Sequence, residues 1–145
     1  MDDTREIKTT ALPTLDNGQI WGTTNLGVFV VVSQRPAAWR GDDRDVYGHI
    51  DTWYTIRAAT VDEQQLWDAA VNAAKARRDL RKQLGVGRDY EYHSCNMTLS
   101  PPEASTQMLD SYDDRWQPPR PIQLTPEQAA IEGAYVDAYR AIKNH

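Results

Sequence analysis

Four side chains that could bind a ligand or take part in catalysis lie on one face of a predicted strand. His49, Asp51, Trp53 and Arg57 all fall at odd positions of the segment 46–58, so they project from one face. A histidine beside a carboxylate could act as a base with its orienting partner, an arginine could bind an anion, and a tryptophan could stack on a base or sugar. His49 and Asp51 are therefore the candidate catalytic pair of a small-molecule-binding, nucleotide-binding or hydrolytic protein.

A second polar strand is predicted from Tyr90 to Leu99. If it is an antiparallel neighbour of the first strand, its tyrosines and asparagine join the same sheet surface. The candidate binding residues are then Tyr47, His49, Trp53, Arg57, Tyr90, Tyr92 and Asn96. Protein interfaces also favour Tyr, Trp and Arg, and residues i and i+2 share a strand face by geometry alone. An interface or a plain solvated surface is therefore favoured over a catalytic site.

Metal-ligating residue types occur, but their spacings do not indicate a site. Carboxylates cluster in the segments 42–45 and 110–114, and neither cluster has the spacing, glycine and terminal glutamate of an EF-hand loop. His93 and Cys95 share a predicted strand face, but Cys95 is the only cysteine and a structural zinc site needs four ligands. We predict no metal and no cofactor.

A basic run near the end of a predicted helix raises a further alternative, which is nucleic-acid binding through Arg78, Arg81 and Lys82. The same cations also complement the negative end of the helix dipole. The net charge of the chain is −5, which gives no electrostatic reason to expect a polyanionic partner. Nucleic acid is therefore not the expected partner.

The composition is that of an ordinary globular protein. The 145 residues fit one domain, with 26% charged and 40% hydrophobic residues. A single cysteine excludes an internal disulfide and indicates a reducing compartment. The N-terminal segment lacks the apolar stretch of a signal peptide, and the longest apolar run, 28–32, is too short to span a bilayer. We expect a soluble, cytoplasmic protein with no membrane partner.

Composition divides the chain into four parts: an N-terminal arm (1–19), a sheet with a long helix (20–99), a Pro-rich arm (100–124) and a C-terminal helix (125–143). In the second part, a short strand at 20–22 precedes an apolar strand at 26–33, which is expected to be covered on both faces. A loop is predicted at 34–45 from its Pro, Gly and Asp content. The strand 46–58 is then expected to turn one face toward the core, with the residues Val46, Ile50, Tyr54, Ile56 and Ala58.

Capping residues mark both predicted helices. Thr60 and Glu63 predict a capping box for the helix 61–84, and Gly85 fits its C-terminal cap. The predicted buried stripe of this helix is Leu66, Ala70, Ala73, Arg77, Leu80 and Leu84. Thr125 and Gln128 predict a second capping box. The predicted stripe of the second helix is Ile131, Ala134, Tyr135, Ala138 and Ile142.

The order of elements predicts an α+β fold: a small, mainly antiparallel sheet of three to five strands, packed by one long helix, with a Pro-rich arm and a C-terminal helix. The element order over residues 25–100 resembles that of small assembly subunits of long-tailed phages, such as tail-terminator and head–tail connection proteins. That resemblance implies a virion-associated assembly role. We therefore expect a non-catalytic interaction protein, a subunit of a homo- or hetero-oligomer whose partners are copies of itself or other proteins.

Overall fold

The computed structural model describes residues 3–9, 15–40, 49–85, 99, 110–111 and 120–145, with backbone alone at 9, 36–40, 49–51, 110–111 and 120–121. A four-stranded antiparallel sheet in the order β1-β4-β3-β2 comprises β1 (Thr4–Thr9), β2 (Ile20–Thr23), β3 (Gly27–Arg40) and β4 (His49–Ala58). Two helices, α1 (Val61–Leu84) and α2 (Pro126–Lys143), accompany it, and β5 (Asp110–Ser111) pairs with β6 (Arg120–Pro121) in the Pro-rich segment. The predicted α+β class is confirmed.

Two predicted irregular segments contain strand. The predicted N-terminal arm contains a strand, because its residues 4–9 form β1 and pair with β4 from Thr4↔Arg57 to Thr9↔Thr52. The loop predicted at 34–45 is wrong at its start, because β3 continues through Pro36 to Arg40. Pro36 has no backbone N–H to donate to the ladder, and the register between β3 and β4 shifts directly after it, between Pro36 and Trp39.

A second irregularity of β3 explains a partly wrong burial prediction. Phe29, Val30 and Val31 are buried, as expected for a strand covered on both faces, but Val32 is 45% exposed. The register jumps from Val31↔Ile56 to Ser33↔Thr55, so Val32 is the extra residue of a β-bulge and is released from the ladder. Tyr54 and Ile56 of β4 are buried, as predicted, whereas Ala58 at the end of the strand, predicted on the same face, is exposed.

Both capping boxes are present as predicted. Thr60 and Glu63 exchange side-chain and backbone hydrogen bonds at the start of α1, and Thr125 and Gln128 do the same for α2. Gly85 ends α1 at φ 65°, a left-handed conformation that glycine adopts without a Cβ penalty. Both helices therefore begin where their local sequence predicts.

The buried stripes differ in part from the prediction. The buried residues of α1 are Glu63, Trp67, Ala70, Ala74, Arg77, Leu80 and Arg81, whereas Leu66, Ala73 and Leu84 are half-buried. In α2 the buried residues are Tyr135, Tyr139 and Ile142, while Ala134 is exposed. Arg77 and Tyr135 are buried as predicted, while the large amphipathic residues Trp67, Arg81 and Tyr139 are buried outside the predicted stripes.

The two helices lie antiparallel, as their side-chain contacts show. The Arg81 guanidinium pairs with Glu132 near the C-terminal end of α1 and the start of α2, with N···O distances of 2.9 and 3.0 Å. One turn earlier, the Arg77 guanidinium carbon lies 3.6 Å from the Tyr135 ring centroid. A fully buried arginine is accommodated here because an aromatic face and a neighbouring helix replace its hydration.

A tryptophan pair joins α1 to the sheet at β2. The rings of Trp21 and Trp67 meet edge to face with centroids 5.3 Å apart. A Cβ at Gly22 would lie 2.7 Å from the Trp67 ring, so the indole occupies the space that any other residue would fill. Trp67 therefore anchors the helix directly on the strand backbone.

Several predictions fall outside the described residues. The strand predicted at 90–99 is one of them, except that Leu99 is described and buried. The strand segment 46–48 and most of the Pro-rich arm are others.

Among the residues described, neither α1 nor α2 is long and apolar enough to cross a membrane.

Candidate functional site

The most distinctive exposed feature is a tryptophan flanked by two cations. In the sheet register, Trp53 of β4 lies opposite Lys8 of β1 on one side and Arg35 of β3 on the other. The Lys8 Nζ lies 5.6 Å and the Arg35 Cζ 5.0 Å from the Trp53 ring centroid. Residues directly opposite in an antiparallel ladder project from the same side of the sheet. The three side chains therefore form one row across three strands.

A carboxylate completes this surface. Glu6, two residues before Lys8 on β1, approaches the Arg35 Nε to 3.7 Å, and the two side chains are 51% and 61% exposed. The next row of the ladder places Thr55 opposite Glu6 and Ser33. We call the set of Glu6, Lys8, Arg35, Trp53 and Thr55 the Trp53 surface. Trp53 and Thr55 are half-buried, and the three charged residues are exposed.

The geometry of the Trp53 surface limits what it can bind. Lys8 and Arg35 belong to strands on opposite sides of β4, so they approach the indole from opposite sides. A planar base would have to displace one of these cations in order to stack on the ring. The surface presents an aromatic centre with both charge signs around it, and Trp and Arg, though not Lys and Glu, are enriched at protein interfaces.

A second polar cluster joins β4, α1 and the end of α2. Arg57 donates two hydrogen bonds to Glu63, from Nη1 to Oε1 at 2.8 Å and from Nη2 to Oε2 at 2.9 Å. The Thr60 amide also donates to Glu63 Oε1, at 2.8 Å, and the His145 imidazole Nε2 contacts Oε2. The Glu63 side chain is only 5% exposed. One buried carboxylate thus joins three segments of the chain.

The electrostatics of this cluster indicate a structural role. The hydrogen bonds from the Arg57 guanidinium, followed by those from Thr60 and His145, hold the pKa of Glu63 far below its ordinary range against the opposing effect of burial. A carboxylate with so low a pKa is a poor proton acceptor near neutral pH. Its oxygens are also committed to hydrogen-bond donors within the chain. The cluster therefore secures the N-terminus of α1 to β4 and to the end of α2.

The candidate site residues have different outcomes. Trp53 lies at the centre of the Trp53 surface, while the guanidinium of Arg57 is engaged by Glu63 and would have to leave it to bind an anion. His49 and Asp51 are placed in β4, where His49 pairs with Arg40, but their side chains are not among those described. The remaining candidates, Tyr47, Tyr90, Tyr92 and Asn96, lie outside the described residues.

The sequence interpretation missed three residues of the site. Glu6 and Lys8 lie in a segment that was interpreted as an arm, and Arg35 in one that was interpreted as a loop. A short signal was present, because the apolar Ile7 lies between the charged residues Glu6 and Lys8. A single apolar residue in six was too little to predict a strand.

The other candidate chemistries receive little support from the described part of the chain. No group of three or more potential metal-ligating side chains occurs there. Arg81 of the basic run is buried and paired with Glu132, which leaves Lys82 as its exposed member beside the half-buried Arg78. A cleft of about 250 Å³ near Arg5, Phe29 and Ile56 is mainly apolar and smaller than the ~300–1,000 Å³ typical of ligand pockets.

Comparison of the chain with protein-family models, with curated proteins and with solved structures finds no match.

Proposed function

We propose that the protein is a non-catalytic interaction protein, a subunit of a homo- or hetero-oligomer that contacts a protein partner through the Trp53 surface. The observation that supports this most is the Lys8–Trp53–Arg35 row. It combines an aromatic residue with cations on a sheet face, and tryptophan and arginine are the residue types most enriched among the energetically dominant contacts of interfaces.

The chemistry of the two clusters favours binding over catalysis. The Glu63 carboxylate is ionised and fully engaged, and the cations of the Trp53 surface already flank its aromatic ring. In neither cluster do the described contacts join a nucleophile to a base, which covalent catalysis requires. The mixed charges around Trp53 suit a partner whose surface also carries both charge signs.

Site-specific photo-crosslinking tests this function in the cells that make the protein. We would place p-benzoyl-phenylalanine at Thr55, in the centre of the Trp53 surface, and at Lys75, an exposed position of α1, as the matched control. We expect protein adducts from position 55 only, whether to a second copy or to another chain. Adding Trp53→Ala should reduce their yield. Equal adduct yields at the two positions would refute the assignment of this surface.

A further inference from the structure

The outer edge of β1 offers a pairing surface. β1 is the terminal strand of the sheet, and its inner edge pairs with β4 over all six of its residues. Among the described residues no strand lies on its outer side, so every second backbone N–H and C=O of β1 points away from the sheet. An edge of this kind is a template for pairing with another strand unless charges or prolines oppose it. The charges of β1 therefore decide what it accepts.

Symmetry restricts how two copies of β1 can pair. A continuous antiparallel sheet built from two identical strands has a two-fold axis perpendicular to it, which keeps each side chain on its own side of the sheet. Residues opposite each other must project from the same side, so the axis has to pass beside one residue, which then faces its own copy. For the central part of β1 that residue is Arg5, Glu6, Ile7 or Lys8.

Charge selects one of these four registers. Centring on Arg5, Glu6 or Lys8 places two identical charges directly opposite each other, which is destabilising. Centring on Ile7 places an apolar pair at the axis. Glu6 of each copy then faces Lys8 of the other, so two opposite-charge pairs form, and Arg5 faces the neutral Thr9 position. The strand is thus complementary to itself in a single register.

We propose that two copies of the chain pair antiparallel through β1 in the register centred on Ile7, joining two four-stranded sheets into one of eight strands. Because the axis is perpendicular to the sheet, the two Trp53 surfaces lie on the same side and meet at the axis, with Lys8 of one copy beside Glu6 of the other. Ile7 is half-buried against the core of its own copy, and in the dimer it also contacts Ile7 of the other copy. That the joined surface binds a further partner rests on the proposed function; the pairing itself does not.

Charge reversal tests the register directly. In Glu6→Lys, the new lysine of each copy faces Lys8 of the other copy. In Lys8→Glu, the new glutamate of each copy faces Glu6 of the other. Because like charges then face each other, either variant alone should dimerise at least about tenfold more weakly than the wild type. An equimolar mixture of the two variants restores an opposite charge at each contact and should form a heterodimer. The double variant Glu6→Lys/Lys8→Glu should recover the homodimer. Lys75→Glu, on the exposed side of α1, is the control and should dimerise as the wild type does.

Sedimentation velocity over a range of about 1–100 μM measures each state, with circular dichroism confirming that the variants are folded. Glu6→Lys also removes the contact to Arg35, and Lys8→Glu the contact to Trp53, but recovery in the mixture cannot come from contacts within one chain. The proposal is overturned if the wild type stays monomeric over the whole concentration range, whether the outer edge of β1 is open or covered by another segment. So do single variants that dimerise as tightly as the wild type. Adducts to a different protein from position 55 would still support the proposed function.

Discussion

The Arg57–Glu63–His145 cluster provides the most specific stability prediction. Glu63→Gln keeps the shape of the side chain and an oxygen that can accept from the Thr60 amide, as Gln128 does at the start of α2. It removes the negative charge and one of the two acceptors of Arg57. The substitution therefore isolates the charged bridge between β4 and α1 from the helix cap.

The expected magnitude follows from the number and exposure of these contacts. A hydrogen bond to a charged group contributes about 1.5–3 kcal/mol. One hydrogen bond from Arg57 is lost, the other meets a neutral acceptor, and the His145 contact to Oε2 is replaced by one to an amide. Arg57 is 26% exposed, so water compensates part of the loss. We expect the free energy of unfolding to fall by about 2 kcal/mol, which lowers Tm by roughly 4–8 °C for a chain of this size.

Urea unfolding of the two proteins measures this difference, with Asp62→Asn as the matched control. Asp62 is the other acid of the same helical turn and is exposed, so its neutralisation should cost at most about 1 kcal/mol through the helix dipole. A loss for Glu63→Gln no larger than that for Asp62→Asn would refute the assigned role of the bridge.

The pH dependence of the same pair of proteins has a defined sign. The folded-state pKa of Glu63 lies below its ordinary value of 4.5, so its ionisation stabilises the fold fully above that pH. This contribution is lost progressively as the pH falls below 4.5 toward the folded-state pKa. The stability gap between wild type and Glu63→Gln should therefore narrow from about pH 6 to about pH 3. A gap that stays constant would contradict the argument.

Three further substitutions test the packing of α1 on the sheet, the helix propensity of α2 and the contact between the two helices. Gly22→Ala brings a Cβ to 2.7 Å from the Trp67 ring and should destabilise the fold by about 1–3 kcal/mol in urea unfolding, whereas Gly133→Ala, whose Cβ meets nothing within 4 Å, should stabilise it by about 0.5–1 kcal/mol. An unchanged midpoint for Gly22→Ala would show that Trp67 can move aside. Glu132→Gln leaves Arg81 with a neutral partner and should cost about 1–3 kcal/mol, with the loss appearing as a lower Tm; no loss would mean that water replaces this contact.

Local signals account for the parts of the fold that were predictable. The caps of α1 and α2 and the strand containing Tyr54 depend on residues within a few positions of each other. β1 was missed because its stability comes from pairing with β4, about fifty residues away, and because Ile7 is its only apolar residue. No local pattern carries that information.

The candidate site was predictable in one of its three strands. Trp53 was identified because its strand alternates clearly, but the cations that flank it come from β1 and β3, at positions fixed only by the sheet register. The contact between Arg57 and Glu63 was likewise hidden, since the capping box explained Glu63 without a partner on the strand. Tertiary pairing, which single-strand patterns do not encode, made both clusters.

The mass of the native particle tests the central claim most directly. Sedimentation velocity and native mass spectrometry would be applied to the protein isolated gently from its own cells, beside the same preparation carrying Trp53→Ala. We expect a wild-type particle heavier than the 16.5 kDa protomer, and a shift toward 16.5 kDa in the Trp53→Ala protein. A wild-type preparation that contains only the 16.5 kDa species would contradict it.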